Sequence, residues 1–321
     1  DRDVTGVQTC ALPICLVVLN VLICGNDLLV EAILQHNIVQ DKEISFIWYQ
    51  KDVEFPHSVQ DILNSAVMAK NLRLTATNTP EWNDIDLLLI GKSESASEKD
   101  LTFEESLRAE IHWTQLLINQ AMANNFAGKV CFLTEHGEEQ VFSALRFSGL
   151  PDNAIFGLGT LPLSMLVEKM ISNILKIDVR QIHVSVLGTF ADAVPAWSRG
   201  LVAGTPLLSL IAQENSLFTQ NELTKIEERL KESSEKSLLP VILASIDCVF
   251  EALFSSFAQI IPLTHQVQVD EQKIAISEPV LLSTQGVSQL PTLNLSEDEK
   301  QKLVDIKDQV LSQIQSLMSG R

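Results

Sequence analysis

Residues 186–200, VLGTFADAVPAWSRG, have the frame of an active-site loop. An apolar strand ends at Gly188, a short segment follows, and Pro195 and Trp197 anchor the return. The mouth of that frame, Thr189-Phe190-Ala191, carries no acid, base or strong nucleophile, and the neighbouring Asp192 reads as a turn residue. A second place where residue types could do chemistry is His136 with Glu135, Glu138 and Glu139, a histidine that titrates near neutral pH beside carboxylates. Its position at the start of an apolar-periodic segment favours a plainer reading, a solvated helix N-terminus whose acids suit the helix dipole. GLGT at 157–160 is too short for a phosphate loop. Five cysteines and six histidines contain no C-x-x-C or H-x-x-x-H pair, so no metal site is expected, and Cys131 and Cys248 read as buried free thiols.

The 321-residue chain is 46% hydrophobic and 20% charged, enough apolar content for a full core. A formal net charge of −18 repels phosphate backbones and anionic lipid, so neither a nucleic-acid nor a membrane partner is expected. With only 13 glycines, the chain is poor in the residue that phosphate-cradling loops consume. Residues 11–24 look like the apolar part of a signal peptide but lack a basic lead and a small-residue cleavage site. Residues 1–15 resemble a translated sequencing-adapter read-through and are set aside from the fold as an artefact.

From Leu16 onward, apolar strand-length runs alternate with helical periods: LVVLNVLIC, DLLVEAILQH, EISFIWYQ, SVQDILNSAVMAK, LRLTAT, DIDLLLIGK, a long helix over 102–125, KVCFLTE and EEQVFSALRFSG. That alternation predicts an α/β fold with a parallel sheet covered on both faces. GLPDN at 149–153 breaks the pattern, and the order then changes. A strand (AIFGLGT), a helix, a strand (IHVSVLGTF), a charged helix at 219–237 with a solvated face, an apolar helix and two or three antiparallel strands follow. Ser296 and Glu299 form a capping box before a last helix. The domains read as a Rossmann-like unit over 16–150 and an α+β unit over 151–321.

RFSGLPDNAIFGLGT, VSVLGTFADAVPAWS and EPVLLSTQGVSQLPTLNLSEDEKQKL resemble the L-lactate/malate dehydrogenase family, nearest its bacterial L-lactate and L-2-hydroxyacid branch. The resemblance spans about Leu16 to Met318. It implies a Rossmann-type parallel-sheet domain followed by an α+β lactate/malate dehydrogenase C-terminal domain, and hydride transfer between NADH and a 2-oxo acid. A His supplies the proton, an Asp orients it, one Arg clamps the carboxylate, and a second Arg on a mobile loop polarises the carbonyl.

Those residues are absent at the matching positions. The family's Gly-Glu-His-Gly-Asp is here Gly188-Thr189-Phe190-Ala191-Asp192, which puts Phe190 where the proton donor stands. Leu163 and Leu166 take the places of the orienting Asp and the clamping Arg. The loop Arg falls at or near Phe103, with Arg108 a turn too far into the helix, and Glu135 replaces the Asn of the Asn-Pro turn. Val21, Ile23 and Asn26 fall at the three glycines of G-x-G-x-x-G, and Trp48 replaces the acid that binds the ribose hydroxyls. The expectation is a pseudoenzyme of this family with no catalytic, cofactor-binding or metal residues and no NAD. It would be cytoplasmic, acting structurally or as a regulator through a homo-oligomer or an active paralogue. The alternatives are a divergent NAD-dependent 2-hydroxyacid dehydrogenase with relocated groups, and a binding module for a non-acidic ligand in the former active site.

Overall fold

The computed structural model describes residues 18–25, 28–50, 55–93, 101–213, 216–233, 235–269, 271–291 and 293–319, without the side chains of 235–237 and 317–319. Residues 1–15, read as an artefact, lie outside this set.

The first half runs β1 (Leu19–Cys24), α1 (Leu28–Gln40), β2 (Ile44–Tyr49), α2 (His57–Ala66), β3 (Arg73–Thr77), β4 (Leu87–Ile90), α3 (Phe103–Ala123), β5 (Lys129–Phe132), α4 (Gly137–Ser148) and β6 (Ile155–Gly157). These strands pair in parallel in the order β3-β2-β1-β4-β5-β6, with β1 central and hydrogen-bonded on both sides. This is the doubly wound dinucleotide-fold order. Period-two alternation divides β1 between the two faces: Val21 and Ile23 enter one apolar cluster, Leu22 and Cys24 the other. Such a strand needs apolar residues at every position, which is why LNVLIC reads as an unbroken run.

The second half comprises α5 (Leu161–Leu175), β7 (Ile182–His183), β8 (Val186–Gly188), β9 (Ala193–Pro195), β10 (Leu201–Val202), β11 (Thr205–Pro206), α6 (Leu207–Ile211), α7 (Gln220–Lys231), α8 (Glu235–Phe254), β12 (Gln259–Val269), β13 (Gln272–Ser283), β14 (Gly286–Gln289) and α9 (Glu297–Ser319). β12 joins the parallel sheet antiparallel to β6 through Thr264 and Gly157, and β13 passes the sheet on to β8 through Ser277 and Gly188. One sheet therefore runs from the Rossmann-like half into the α+β half. The run IHVSVLGTF, predicted as one strand, is two. β7 belongs to a small sheet with β10 and β11, and β8 to the main one. Between them the Val184 amide donates to the Glu168 carboxyl (3.1 Å) rather than to a strand. Among the described residues no helix is long and apolar enough to cross a membrane.

The capping box read at Ser296 and Glu299 forms, with the Ser296 amide 3.0 Å from the Glu299 carboxyl and the Glu299 amide 3.4 Å from the Ser296 hydroxyl. Glu299 also accepts the Ser198 amide (2.9 Å), tying the return of the 186–200 loop to α9. Burial opposes its ionisation, but the hydrogen bonds from Ser198 and Ser296 outweigh burial and hold the carboxyl below its usual range. Glu299→Gln is expected to cost about 1–2 kcal/mol at pH 7. A depressed carboxylate contributes stability above its unfolded pKa and loses it as pH falls through the folded value. The gap between parent and variant in urea melts should therefore close between about pH 5 and pH 3.

Candidate functional site

The 186–200 frame is held from both ends. The Thr189 amide donates to the Asp192 carbonyl (3.1 Å), and the Asp192 amide to the Thr189 hydroxyl (2.9 Å), which makes Asp192 the turn residue its sequence suggested. Gly188 has φ +99°, and a Cβ there would lie 2.4 Å from the Asp192 carbonyl oxygen. The Trp197 indole anchors the return by donating to Glu227 (2.8 Å). Phe190, Leu163 and Leu166 belong to one apolar cluster, with Leu163 fully buried and the other two half-buried. The gap between Phe190 and Leu133, Leu158, Pro162 and Ile242 is only about 10 Å³, no more than a single water would fill. Arg108 lies on the exposed side of α3, 3.8 Å from Glu104.

Behind this cluster runs a buried string of hydroxyls. The Thr160 amide donates to Ser277 Oγ (3.2 Å), Ser277 Oγ lies 2.7 Å from Thr264 Oγ1, and Thr264 donates to Glu138 Oε1 (3.0 Å). The Thr160 hydroxyl turns the other way and donates to the Val186 carbonyl (2.6 Å). Gly159 makes the string possible: its φ is +55°, and a Cβ would lie 2.1 Å from Ser277 Oγ and 2.7 Å from the Thr264 nitrogen. The glycines of GLGT thus admit β12 and β13 at close range, with no phosphate involved.

At its far end the string reaches the cluster around His136, and here the expectation of a solvated helix N-terminus is corrected. His136 is 2% exposed, Glu138 3% and Glu139 5%. They are buried because β12 and the first turn of α3 close over the start of α4. Thr264 reaches Glu138, Ser106 Oγ lies 3.2 Å from His136 Nε2, and the Phe103 ring packs edge-on to the imidazole at 4.8 Å. Burial lowers the His136 pKa and keeps the ring neutral, and its Nδ1 is buried without a partner. Burial and the neighbouring Glu139 push Glu138 up to about 8, and burial also raises Glu139. A further buried network supports α4: Gln140 donates to Glu110 Oε2 and to Thr114 (both 3.1 Å), and the Ser93 amide donates to Glu110 Oε1 (3.2 Å). Beside the cluster lies a cleft of about 270 Å³, lined by Phe103, His136, Glu139, Asp192, Ile306 and their neighbours. Sequence reasoning missed this cleft because its walls come from four separate stretches of chain.

The cysteines lie elsewhere. Cys24 and Cys131 are buried and Cys248 is half-buried. Burial raises all three thiols, Cys248 to about 11 with help from Glu251, Asp247 and Glu168, so none is a thiolate at neutral pH.

The crevice at the ends of β1 and β2 differs from its sequence reading. Val21 and Ile23 are fully buried strand residues paired to both neighbours, so they cannot be turn glycines facing a pyrophosphate. The strand continues to Cys24 and the turn opens at Gly25 (φ +132°), while Asn26 lies outside the described residues. A Cβ on Gly25 would lie 3.0 Å from the Lys92 carbonyl oxygen. Trp48 is 1% exposed, and its indole N–H donates to the Gly25 carbonyl (3.1 Å), so the ring occupies the gap between the end of β2 and the turn. Trp48 is thus an inner residue of β2, paired to Ile23; the residue that follows the strand is the buried Gln50, and residues 51–54 lie outside the described set.

Residues 166–319 match the lactate/malate dehydrogenase alpha/beta C-terminal domain. The chain is 22% identical over 281 residues to an L-lactate dehydrogenase 1 of Listeria monocytogenes, covering 85% of this chain and 88% of that one. Its fold is that of the Eimeria maxima lactate dehydrogenase solved with NADH and oxamate (TM-score 0.84, 15% identity, 94% and 95% of the two chains). The lactate dehydrogenase of Cryptosporidium parvum, complexed with lactic acid and nicotinamide adenine dinucleotide, is also similar (TM-score 0.81, 20% identity, 94% and 98%). These complexes overturn the expectation that a chain of this build goes without a cofactor. That expectation rested partly on Val21 and Ile23, which are core residues with no part in a phosphate turn.

Two outcomes follow from this geometry. Trp48→Ala should cost about 3–5 kcal/mol in chemical denaturation, the range for emptying a fully packed aromatic site. Glu138→Gln should gain on the parent as pH rises. A buried carboxyl with a raised pKa stays neutral in the fold up to about 8; its contribution to stability is complete below the unfolded pKa and is lost as pH climbs through the folded value. Thermal melts from pH 4.5 to 8.5 should show the variant pulling ahead. A constant difference would mean that Glu138 is ionised throughout.

Proposed function

The chain belongs to the lactate/malate dehydrogenase family, and on that premise we propose that it is a member which no longer reduces 2-oxo acids and works by association, with itself or with an active paralogue, in the cytoplasm. The observation that carries the reading is that Leu163, Leu166 and Phe190 join the large apolar cluster, with no more than a single water's space left beside Phe190. Reduction of a 2-oxo acid needs a proton source and a bidentate cation for the carboxylate. Side chains of leucine and phenylalanine offer neither. Apolar replacement of the whole set avoids the penalty that a lone buried charge would carry once its partners had gone. Exposed Phe257 and Ile260 at the start of β12 offer apolar surface for association.

Nicotinamide dinucleotide is the cofactor class to titrate on this chain. It would meet Gly25 and Trp48 at the adenosine end, and on the other side Phe190 and the turn around it. The rival reading, a dehydrogenase with relocated groups, finds its candidate proton donor in His136 beside the cleft. Burial favours the neutral ring there, which weakens it as an acid near pH 7.

Steady-state assays of the full chain with NADH and a panel of 2-oxo acids, pyruvate and oxaloacetate included, should give turnover below about 1 per second. Rates above that, within the usual enzyme range, would overturn the reading in favour of the dehydrogenase. Light scattering at micromolar concentration tests the associating role, and a monomer both alone and with a dehydrogenase paralogue would remove it.

A further inference from the structure

The charge of the cleft is opposite to what a 2-hydroxy or 2-oxo acid requires. Glu135, Glu138, Glu139 and Asp192 line it, and among the described residues no lysine or arginine does. Lys92 is paired with Glu135 at 2.9 Å. Acidity alone would mark only a solvated patch, but two of its polar groups are buried and one is left without a partner. Glu139 is 5% exposed. The His136 ring, 2% exposed, uses Nε2 with Ser106 and leaves Nδ1 without a partner. Buried polar atoms are normally satisfied, and an orphan in a cleft wall points to an absent ligand. With Nε2–H donating to Ser106, Nδ1 is a bare acceptor. The opposite wall is apolar, formed by Phe103, Ile306 and Val310.

We propose that this cleft binds a small primary amine, its ammonium held by the Glu139 carboxylate and His136 Nδ1 and its short apolar body lying against Phe103 and Ile306. An ammonium brings three donors to a wall that presents the Glu139 carboxyl and the unpartnered Nδ1 beside the uncharged side chains of Thr189, Gln309 and Gln313. Its charge compensates the Glu139 carboxylate, and the Phe103 ring adds a cation–π contribution. The volume, about 270 Å³, suits a monoamine of a few carbons. A carboxylate would meet four acidic side chains and no cation. The inference rests on the reading that the family's carboxylate-binding groups are gone, and it names what that altered site takes instead.

Isopentylamine, isopentanol and isovalerate share one skeleton and differ in charge, so titrating each into the full chain by calorimetry at pH 7.5 and about 0.15 M salt isolates the charge preference. The amine should bind with a dissociation constant in the millimolar range or tighter, with the alcohol and the acid at least tenfold weaker. Glu139→Gln, checked for an unchanged far-UV spectrum and melt, should weaken the amine tenfold or more, and Phe103→Ala, on an exposed residue, should weaken it several-fold without affecting the fold. Equal binding of amine and alcohol, preference for the acid, no binding of the amine, or no effect of Glu139→Gln would each overturn the proposal. Turnover of a 2-oxo acid would instead defeat the reading on which it rests, and that is read in a separate assay with no amine present.

Discussion

The hydroxyl string from the Thr160 amide through Ser277 and Thr264 to Glu138 is the constraint on which the rest of the site depends. Each hydroxyl donates in the same direction, so each is both donor and acceptor, and the string ends on a Glu138 oxygen that accepts. It crosses β13 and β12 and connects the starts of α5 and α4, two helices from different halves of the chain. A buried string of this kind is stable only if every link is made. Gly159 and Gly157 are the steric condition for it, since β12 passes too close for side chains. The position of Leu163, one turn into α5, and that of His136, before α4, are both set by this one connection.

Thr160 and Ser164 fasten the start of α5 to β8 through Val186, the first residue of the 186–200 frame. With Asp, Arg and His at 163, 166 and 190, the place would be a polar site needing mutual compensation. With Leu163, Leu166 and Phe190 it merges with the large apolar cluster that also contains Trp48. Apolar side chains at these places contribute by the ordinary hydrophobic route. The polar groups of the region lie at the start of α4, where Glu138 and Glu139 line the cleft with Phe103 and residues of α9.

Much of the fold was legible because its causes are local. LNVLIC, ISFIWY and LLLI are apolar at nearly every place, as strands covered on two faces must be. Thr102 and Glu105 cap α3 by short-range hydrogen bonds, and Gly149 ends α4 with φ +68°. The apolar type of Leu163, Leu166 and Phe190 was equally plain, since a residue's type needs no coordinates. The register at the end of β1 was not: nothing in VLNVLICG says where the strand stops, and only pairing to β2 and β4 through Cys24 shows that the turn begins at Gly25.

By itself, the sequence determined the alternation of elements, the resemblance of its loops to one family, and the absence of titratable groups from Thr189, Phe190 and Ala191 at the mouth of the 186–200 frame. It could not determine the state of His136, Glu138 and Glu139. Four consecutive polar and glycine residues before a helix look solvated in any local reading. Burial is decided by what packs over them, here Thr264 from 126 residues away and Ser106 from 30. A charge's environment depends on distant neighbours through desolvation, and desolvation has no sequence signature. Only the tertiary structure turned an ordinary helix start into a closed acidic cleft.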